Sequence, residues 1–415
     1  MSSHTTYGNE IMERVDALAV HTDTLGMLTR TYMTTAHNSA ALQLAEWMKE
    51  AGMTVRRDAA GNVIGRYEGL VPGAPSLLTG SHFDTVRDGG RYDGSLGILL
   101  PITCVAAWHR QGKRFPFPIE VVGFSEEEGV RFKAALLGSR AIVGTFDRSV
   151  LNNVDEDGKT MREVMCEAGF DPDDLSTAAV PRGQVAAFVE VHIEQGPVLL
   201  DEGLPLGIVT AISGATRFMV EIEGLAGHAG TVPMASRRDA AMAGAEIGLF
   251  IERRCNAVAG LVGTIGQFTV PNGAANVIPG RAVLSIDIRA GEDAVRVAAT
   301  NEVLAEIESI CARRGVRAVL RKTYEASSVA CAGWLQAQWA DALQRNGASV
   351  RYLPSGAGHD AMVVAAIADV AMLFVRCGNG GISHHPSETM NNEDAAIAAK
   401  VFMDFVEHFE VTAAP

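Results

Sequence analysis

The chain has 415 residues, of which 47% are hydrophobic and 20% charged, and a formal net charge of −14. That length exceeds what a single core normally organises, so two domains are expected, and the composition is that of a globular chain, not a disordered one. The negative balance argues against a nucleic-acid-binding surface, which needs a basic face.

The first twenty residues lack a basic stretch followed by an apolar core, so no secretory leader is expected there. Residues 9 to about 210 alternate helical and strand-like runs. "LQLAEWMKEAG" has helical spacing, "SLLTGSH" and "IEVVGFS" are short apolar runs, and "LGILLPITCVAAWHRQG" between them reads as a helix. Buried strands joined by helices imply an α/β domain with a largely parallel sheet, whose ligands sit beyond the carboxyl ends of the strands. From about 213 to 327 the rhythm changes. "RFMVEIEG" and "AVLSIDIRA" alternate as half-buried strands, "RRDAAMAGAEIGLFIERR" is an amphipathic helix, and a second helix spans about 292–314. The order β-α-β-β-α-β predicts a ferredoxin-like unit. After it, "GHDAMVVAAIADVAMLFVRCG" restores α/β character. The expected organisation is therefore a catalytic domain in two pieces, 1–212 and 328–415, with a smaller domain, 213–327, inserted between them.

The longest apolar runs, such as 361–368, fall far short of the ~20 residues that cross a bilayer. The six cysteines, at 104, 166, 255, 311, 331 and 377, form no C-x-x-C pair. Scattered cysteines fit reduced thiols, so a cytoplasmic protein without a membrane partner is expected.

Four stretches carry the chemistry. "GSHFDTVRDGGRYDGSLG" places His82, Asp84 and Asp93 among glycines at a strand end. Extended residues i and i+2 face one way, so Asp84 can stand behind the His82 ring while His82 and Asp93 face a cation. Asp and Gly are also ordinary loop residues, which is the competing reading. "FSEEEGVRF" brings Glu126, Glu127 and Glu128 together, an arrangement costly in a cleft unless a cation offsets it, though a solvated acidic turn would look the same. "FVEVHIEQGPVL" sets Glu190, His192 and Glu194 on one strand face, and "GISHHPSE" adds His384 and His385 in a loop. Six of the eleven histidines (82, 192, 228, 359, 384 and 385) fall in Gly-rich or strand-end motifs, which makes coincidence the weaker explanation.

These motifs, with "GLAGHAGTVPM", "NVIPG", "DIRA" and "SGAGHDAM", resemble in order and wording the M20 metallopeptidase-like superfamily over about 80–390. "HIEQG" and "GHAGTVPM" resemble its hydantoinase/carbamoylase branch: N-carbamoyl-L-amino acid hydrolases, β-ureidopropionases and allantoate amidohydrolases. The resemblance implies a mixed-sheet dinuclear-metal hydrolase domain with an inserted ferredoxin-like lid and dimerisation domain, and a homodimer. It implies two divalent metal ions per subunit bridged by Asp93, with His82 and His192 completing one site and Glu128 and His384 the other. His385 stands where relatives often have Asn, so either of the two histidines is open as the ligand; His384, directly after Ser383, is the favoured one.

The resemblance further makes Glu127 the general acid/base, Asp84 the residue orienting His82, and His228 the oxyanion stabiliser. Arg289 would bind the substrate carboxylate, with Gln195, Asn276, Gly358 and His359 lining its pocket. In proteins of the family the chain resembles, the bond corresponding to Asp93–Gly94 is often cis, a rare feature for a non-proline bond. An all-N/O ligand set suits Zn, Mn, Co or Ni alike. The expected activity is hydrolysis of the ureido group of N-carbamoyl-L-amino acids or a close ureido acid to amino acid, CO2 and ammonia. An allantoate amidohydrolase is the alternative, followed by an M20-type peptidase and a non-catalytic binding relative. A nucleophilic amidase is disfavoured, because no G-x-S-x-G occurs and no cysteine has a local His signature.

Overall fold

The computed structural model describes residues 3–411. The chain divides into two compact units. The first comprises Met1–Thr210, Cys331–Leu353 and His359–Pro415, the second Ala211–Ala330 with Pro354–Gly358. Pro354–Gly358 was expected in the first unit. It falls in the second because Ser213 donates its amide to the Ser355 carbonyl at 2.9 Å and Arg289 Nη1 donates to the Gly356 carbonyl at 2.8 Å.

The sheet of the first unit contains β1 (Thr54–Arg57), β2 (Val63–Tyr67), β3 (Ser76–His82), β4 (Ile119–Phe124), β5 (Val185–Ile193), β6 (Leu206–Ile212) and β7 (Val370–Val375). Their order is β1-β2-β4-β3-β5-β7-β6. The sheet is mixed: β4, β3, β5 and β7 run parallel, whereas β1, β2 and β6 pair antiparallel to their neighbours. The largely parallel reading therefore holds for its centre alone. The central strands are buried along nearly their whole length, as strands covered on both faces must be. The helix Ser95–Arg110 is buried from Ser95 to Trp108, so it is apolar all round and not striped.

Three neighbouring parallel strands place their carboxyl ends together. His82 is level with Phe124 of β4. Thr79 is level with Val189 of β5, so three residues further on His82 comes level with His192. Sequence-distant residues thus meet at one end of the sheet because the strands that carry them are parallel and adjacent.

In the second unit Gly214–Glu223 pairs antiparallel with both Arg281–Ala290 and Arg317–Ala326. Helices Ala240–Asn256 and Asp293–Arg314 pack with them through a core that includes Val220, Ile247, Leu284, Ile286, Val303 and Ile307. A two-stranded ribbon pairs Gly227–His228 with Val277–Ile278. Among the described residues no peptide bond is cis, so Asp93–Gly94 is trans, and Gly94 turns the chain with φ +66°.

Candidate metal centre

Asp93 lies in the first unit at the focus of three histidines. Its Oδ1 stands 3.4 Å from His82 Nε2 and 3.2 Å from His192 Nε2, and its Oδ2 stands 3.1 Å from His384 Nε2. His384 Nε2 is also 3.5 Å from Glu128 Oε1. The ring nitrogens are prepared for this role. His82 Nδ1 pairs with the Asp84 carbonyl at 3.0 Å and His192 Nδ1 with the Ile193 carbonyl at 2.8 Å, which turns each Nε2 toward Asp93; His192 Nε2 also lies 3.2 Å from the Gly94 amide. The turn at Gly94 makes the approach possible. A Cβ there would lie 2.4 Å from the His82 carbonyl oxygen and 2.5 Å from its ring, so only glycine fits.

His384, with φ +55°, points into this cluster, while His385 Nδ1 accepts the amide of Ser387 in its own loop. Asp84 meets the His82 ring chiefly through its backbone carbonyl, with its carboxylate further off. Its carboxylate Oδ1 is 3.5 Å from His82 Nδ1, farther than its own carbonyl, and both carboxylate oxygens are taken by the amides of Glu127 and Glu128 at 3.0 Å each. Asp84 thus fixes the acidic turn after β4. Glu190 and Glu194 have structural partners: Glu190 accepts from Ser81 and from the Ala361 amide, and Glu194 accepts the Val198 and Leu199 amides.

Among the described residues no Lys or Arg forms an ion pair with Asp84, Asp93, Glu127 or Glu128. Burial, then the neighbouring Asp93 carboxylate, pushes Glu128 up to about 7. Burial opposed by His82 and reinforced by Glu128 raises Glu127 well above the carboxylate range. Glu126 is raised likewise by burial, Asp84 and Glu128, and neither of its oxygens has a hydrogen-bond partner. Burial works against ionisation of Asp93, yet hydrogen bonds from His192, His384 and His82 hold it well below the usual value. His384 is pushed up to about 9, chiefly by its bond to Asp93.

This donor set fits metal. Two ligands bound tetrahedrally at about 2.0–2.1 Å from one ion lie roughly 3.3 Å apart, which is the spacing around Asp93. Four convergent groups occur among the described residues: His82–Asp93–His192 and Asp93–Glu128–His384 share Asp93, His82–Glu127–Glu128 adjoins both, and Glu190–His192–His359 shares His192. Every donor is N or O. The sulfurs are elsewhere in their chemistry: burial pushes the Cys331 and Cys377 thiols up to about 12, and Cys377 accepts the amide of Gln195.

The remaining expected site residues divide between the units. Gln195, with φ +57°, donates from Nε2 to Asp93 Oδ2 at 2.9 Å. The His359 ring packs edge-on against His192 with centroids 4.6 Å apart, and burial followed by His192 holds it well below its usual pKa. Gly358 belongs to the second unit, as do His228, Asn276 and Arg289. The ribbon brings two of these together, since Ala229, next to His228, donates its amide to the Asn276 carbonyl at 3.0 Å. His228 Nδ1 accepts the Gly230 amide at 3.0 Å, which assigns the proton to Nε2 and makes that nitrogen a donor. Arg289 binds Asp287 through Nε and Nη2, and Arg217 binds the same carboxylate at 2.9 Å. These three residues line a cavity of about 450 Å³. Sequence reading left Ser383 and Glu388 unassigned, although both stand in the quoted stretch "GISHHPSE".

A strand-end cluster of this kind is the signature of a metal-dependent hydrolase. The family model described as "Peptidase family M20/M25/M40" matches residues 78–408. The chain is 41% identical over 376 residues to an N-carbamoyl-L-amino acid amidohydrolase of Geobacillus stearothermophilus, covering 91% of this chain and 92% of that one. It is 37% identical to a probable allantoate deiminase of Oryza sativa subsp. japonica, covering 98% and 89%. A crystal structure of an amidase of the hydantoinase/carbamoylase family from Burkholderia multivorans superposes with a TM-score of 0.90 at 32% identity, covering 96% and 97%. The chain belongs to peptidase family M20/M25/M40.

Proposed function

We propose that the protein hydrolyses the ureido group of N-carbamoyl-L-amino acids to the amino acid, CO2 and ammonia. The observation that carries this reading is the sharing of Asp93 by two donor groups, with Glu127 alongside. Its substrate class is supported by the name of the Geobacillus relative. In this reading His82, Asp93 and His192 hold one divalent ion, and Asp93, Glu128 and His384 a second. Such ions polarise a carbonyl and make hydroxide available at neutral pH.

The chain's own residues do the rest. Glu127, which groups with His82 and Glu128, takes the proton of the attacking water and delivers it to the departing amino-acid nitrogen. The bond between that nitrogen and the ureido carbon breaks, and the carbamate released falls to CO2 and ammonia. Arg289 offers a planar cation to the substrate carboxylate, and Asn276, Gln195, Gly358 and His359 are the other substrate-binding groups of this reading. The donor Nε2 of His228 stabilises negative charge on the carbonyl oxygen.

The second unit serves as lid and dimerisation domain in this reading, and the enzyme is a homodimer. The exposed edge strand Arg317–Ala326 supports that, because such an edge is commonly covered by a two-fold partner. No helix among the described residues is long and apolar enough to cross a membrane. The described cysteines are all free, which suits the reducing cytoplasm.

The plant relative favours a second reading, allantoate as substrate. Ammonia release from N-carbamoyl-α-amino acids, N-carbamoyl-β-alanine and allantoate, each with Mn²⁺, Co²⁺ or Zn²⁺, decides between them. Turnover of allantoate alone would favour the second reading, and no turnover of any would reject both.

A further inference from the structure

We infer that Glu388 is a positioning residue of this centre: its buried carboxylate locks the turn carrying Asp93 and the loop carrying His384 to one another. The inference rests on the metal-centre reading above. Glu388 is 4% exposed. Its Oε1 accepts the amides of Tyr92 and Asp93 at 2.9 and 3.2 Å, and its Oε2 accepts the Ser383 hydroxyl at 2.6 Å. The same hydroxyl lies 3.0 Å from Asp93 Oδ2. One side chain therefore touches the backbone of one ligand candidate and the residue directly before another, across almost 300 residues of chain.

The surroundings are built to admit that carboxylate. A Cβ on Gly90 would lie 2.1 Å from both Cδ and Oε1 of Glu388, so glycine at 90 is what lets the group reach Tyr92 and Asp93. The Glu388 amide in turn donates to the His385 carbonyl at 3.0 Å, closing the loop on itself. Glu388 is in none of the convergent donor groups among the described residues, so it acts through Asp93 and His384 and does not ligate. Ligand geometry held to within about half an ångström depends on such supporting contacts.

The test uses the full chain stripped of metal, Zn²⁺ as probe, and competition with a chromogenic chelator, alongside thermal unfolding of the metal-free protein. Glu388→Ala should weaken zinc binding by ~10–100-fold. Glu388→Gln should stay within about threefold of wild type, because its amide oxygen can accept both backbone amides while its NH2 donates to Ser383. Gly90→Ala, which displaces the carboxylate without removing it, should behave like Glu388→Ala. Leu343→Ala, in a fully buried position of the helix Gly333–Arg345, supplies a destabilised variant with no contact to the centre. Zinc binding by Glu388→Ala at wild-type strength, or an equal loss in Leu343→Ala, would overturn the inference. If Glu388→Ala does not fold, wild-type zinc binding by both Gly90→Ala and Ser383→Ala would overturn it just as well. Wild-type protein that binds no zinc would instead bring down the metal-centre reading and this inference with it.

Discussion

The carboxylate of Asp84 accepts the backbone amide of Glu128 at 3.0 Å, tying the end of β3 to the acidic turn that follows β4. Its other oxygen holds the amide of Glu127 in the same way. Asp84→Asn replaces one acceptor with an NH2 group that faces an N–H. We expect the turn to shift and apparent metal affinity to fall by roughly 10–100-fold. Chelator competition measures this, and unchanged affinity would mean that Asp84 positions nothing.

Asp93→Ala should have a larger effect, because both donor groups contain Asp93. Each group would lose a carboxylate donor without it. Elemental analysis of the purified variant should find the centre essentially empty. Full occupancy would remove Asp93 from the ligand set.

Metal binding should depend on pH with a defined sign. In the metal-free protein Glu128 is raised to about 7 and His384 to about 9, so each holds a proton below its value. A cation must displace those protons. Apparent affinity should therefore rise as pH climbs through about 7 towards about 9, and fall away below that window. Calorimetry in buffers of different ionisation enthalpy should register proton release on binding. A flat profile would show that these groups do not bind the ion.

The proposed dimer predicts complementation. Glu127→Ala and His228→Ala homodimers should each be inactive. If one subunit's His228 serves the partner's centre, a mixed dimer contains one intact site. About half the dimers are mixed after statistical exchange, so about a quarter of wild-type activity should return. Absence of recovery under conditions shown to exchange subunits would place His228 in its own subunit's site.

Much of the centre was legible because its residues sit where periodicity is strong. His82 and His192 close buried strands, and the alternation of 189–194 separates Val189, Val191 and Ile193 from Glu190, His192 and Glu194. Within that polar set, however, alternation could not show that Glu194 is occupied by the Val198 and Leu199 amides. The choice of His384 over His385 depends on a left-handed backbone at residue 384, which no local pattern announces. Glu388 was invisible for a similar reason. Its partners Tyr92 and Asp93 lie at the other end of the chain, and only tertiary packing brings them within hydrogen-bond reach. Pro354–Gly358 joined the second unit through single hydrogen bonds to Ser213 and Arg289, again beyond the reach of local sequence.

The central claim is that a metal centre organised by Asp93 works with Glu127 as its proton carrier. Glu127→Gln tests it most directly, with metal content and ammonia release from an N-carbamoyl-L-amino acid measured on the same preparation. The account predicts metal retained at the wild-type level and kcat lowered by at least ~10²-fold. Glu126→Gln, at a walled-in position whose oxygens have no hydrogen-bond partner, should lose far less. Wild-type turnover by Glu127→Gln with its metal in place would contradict the account.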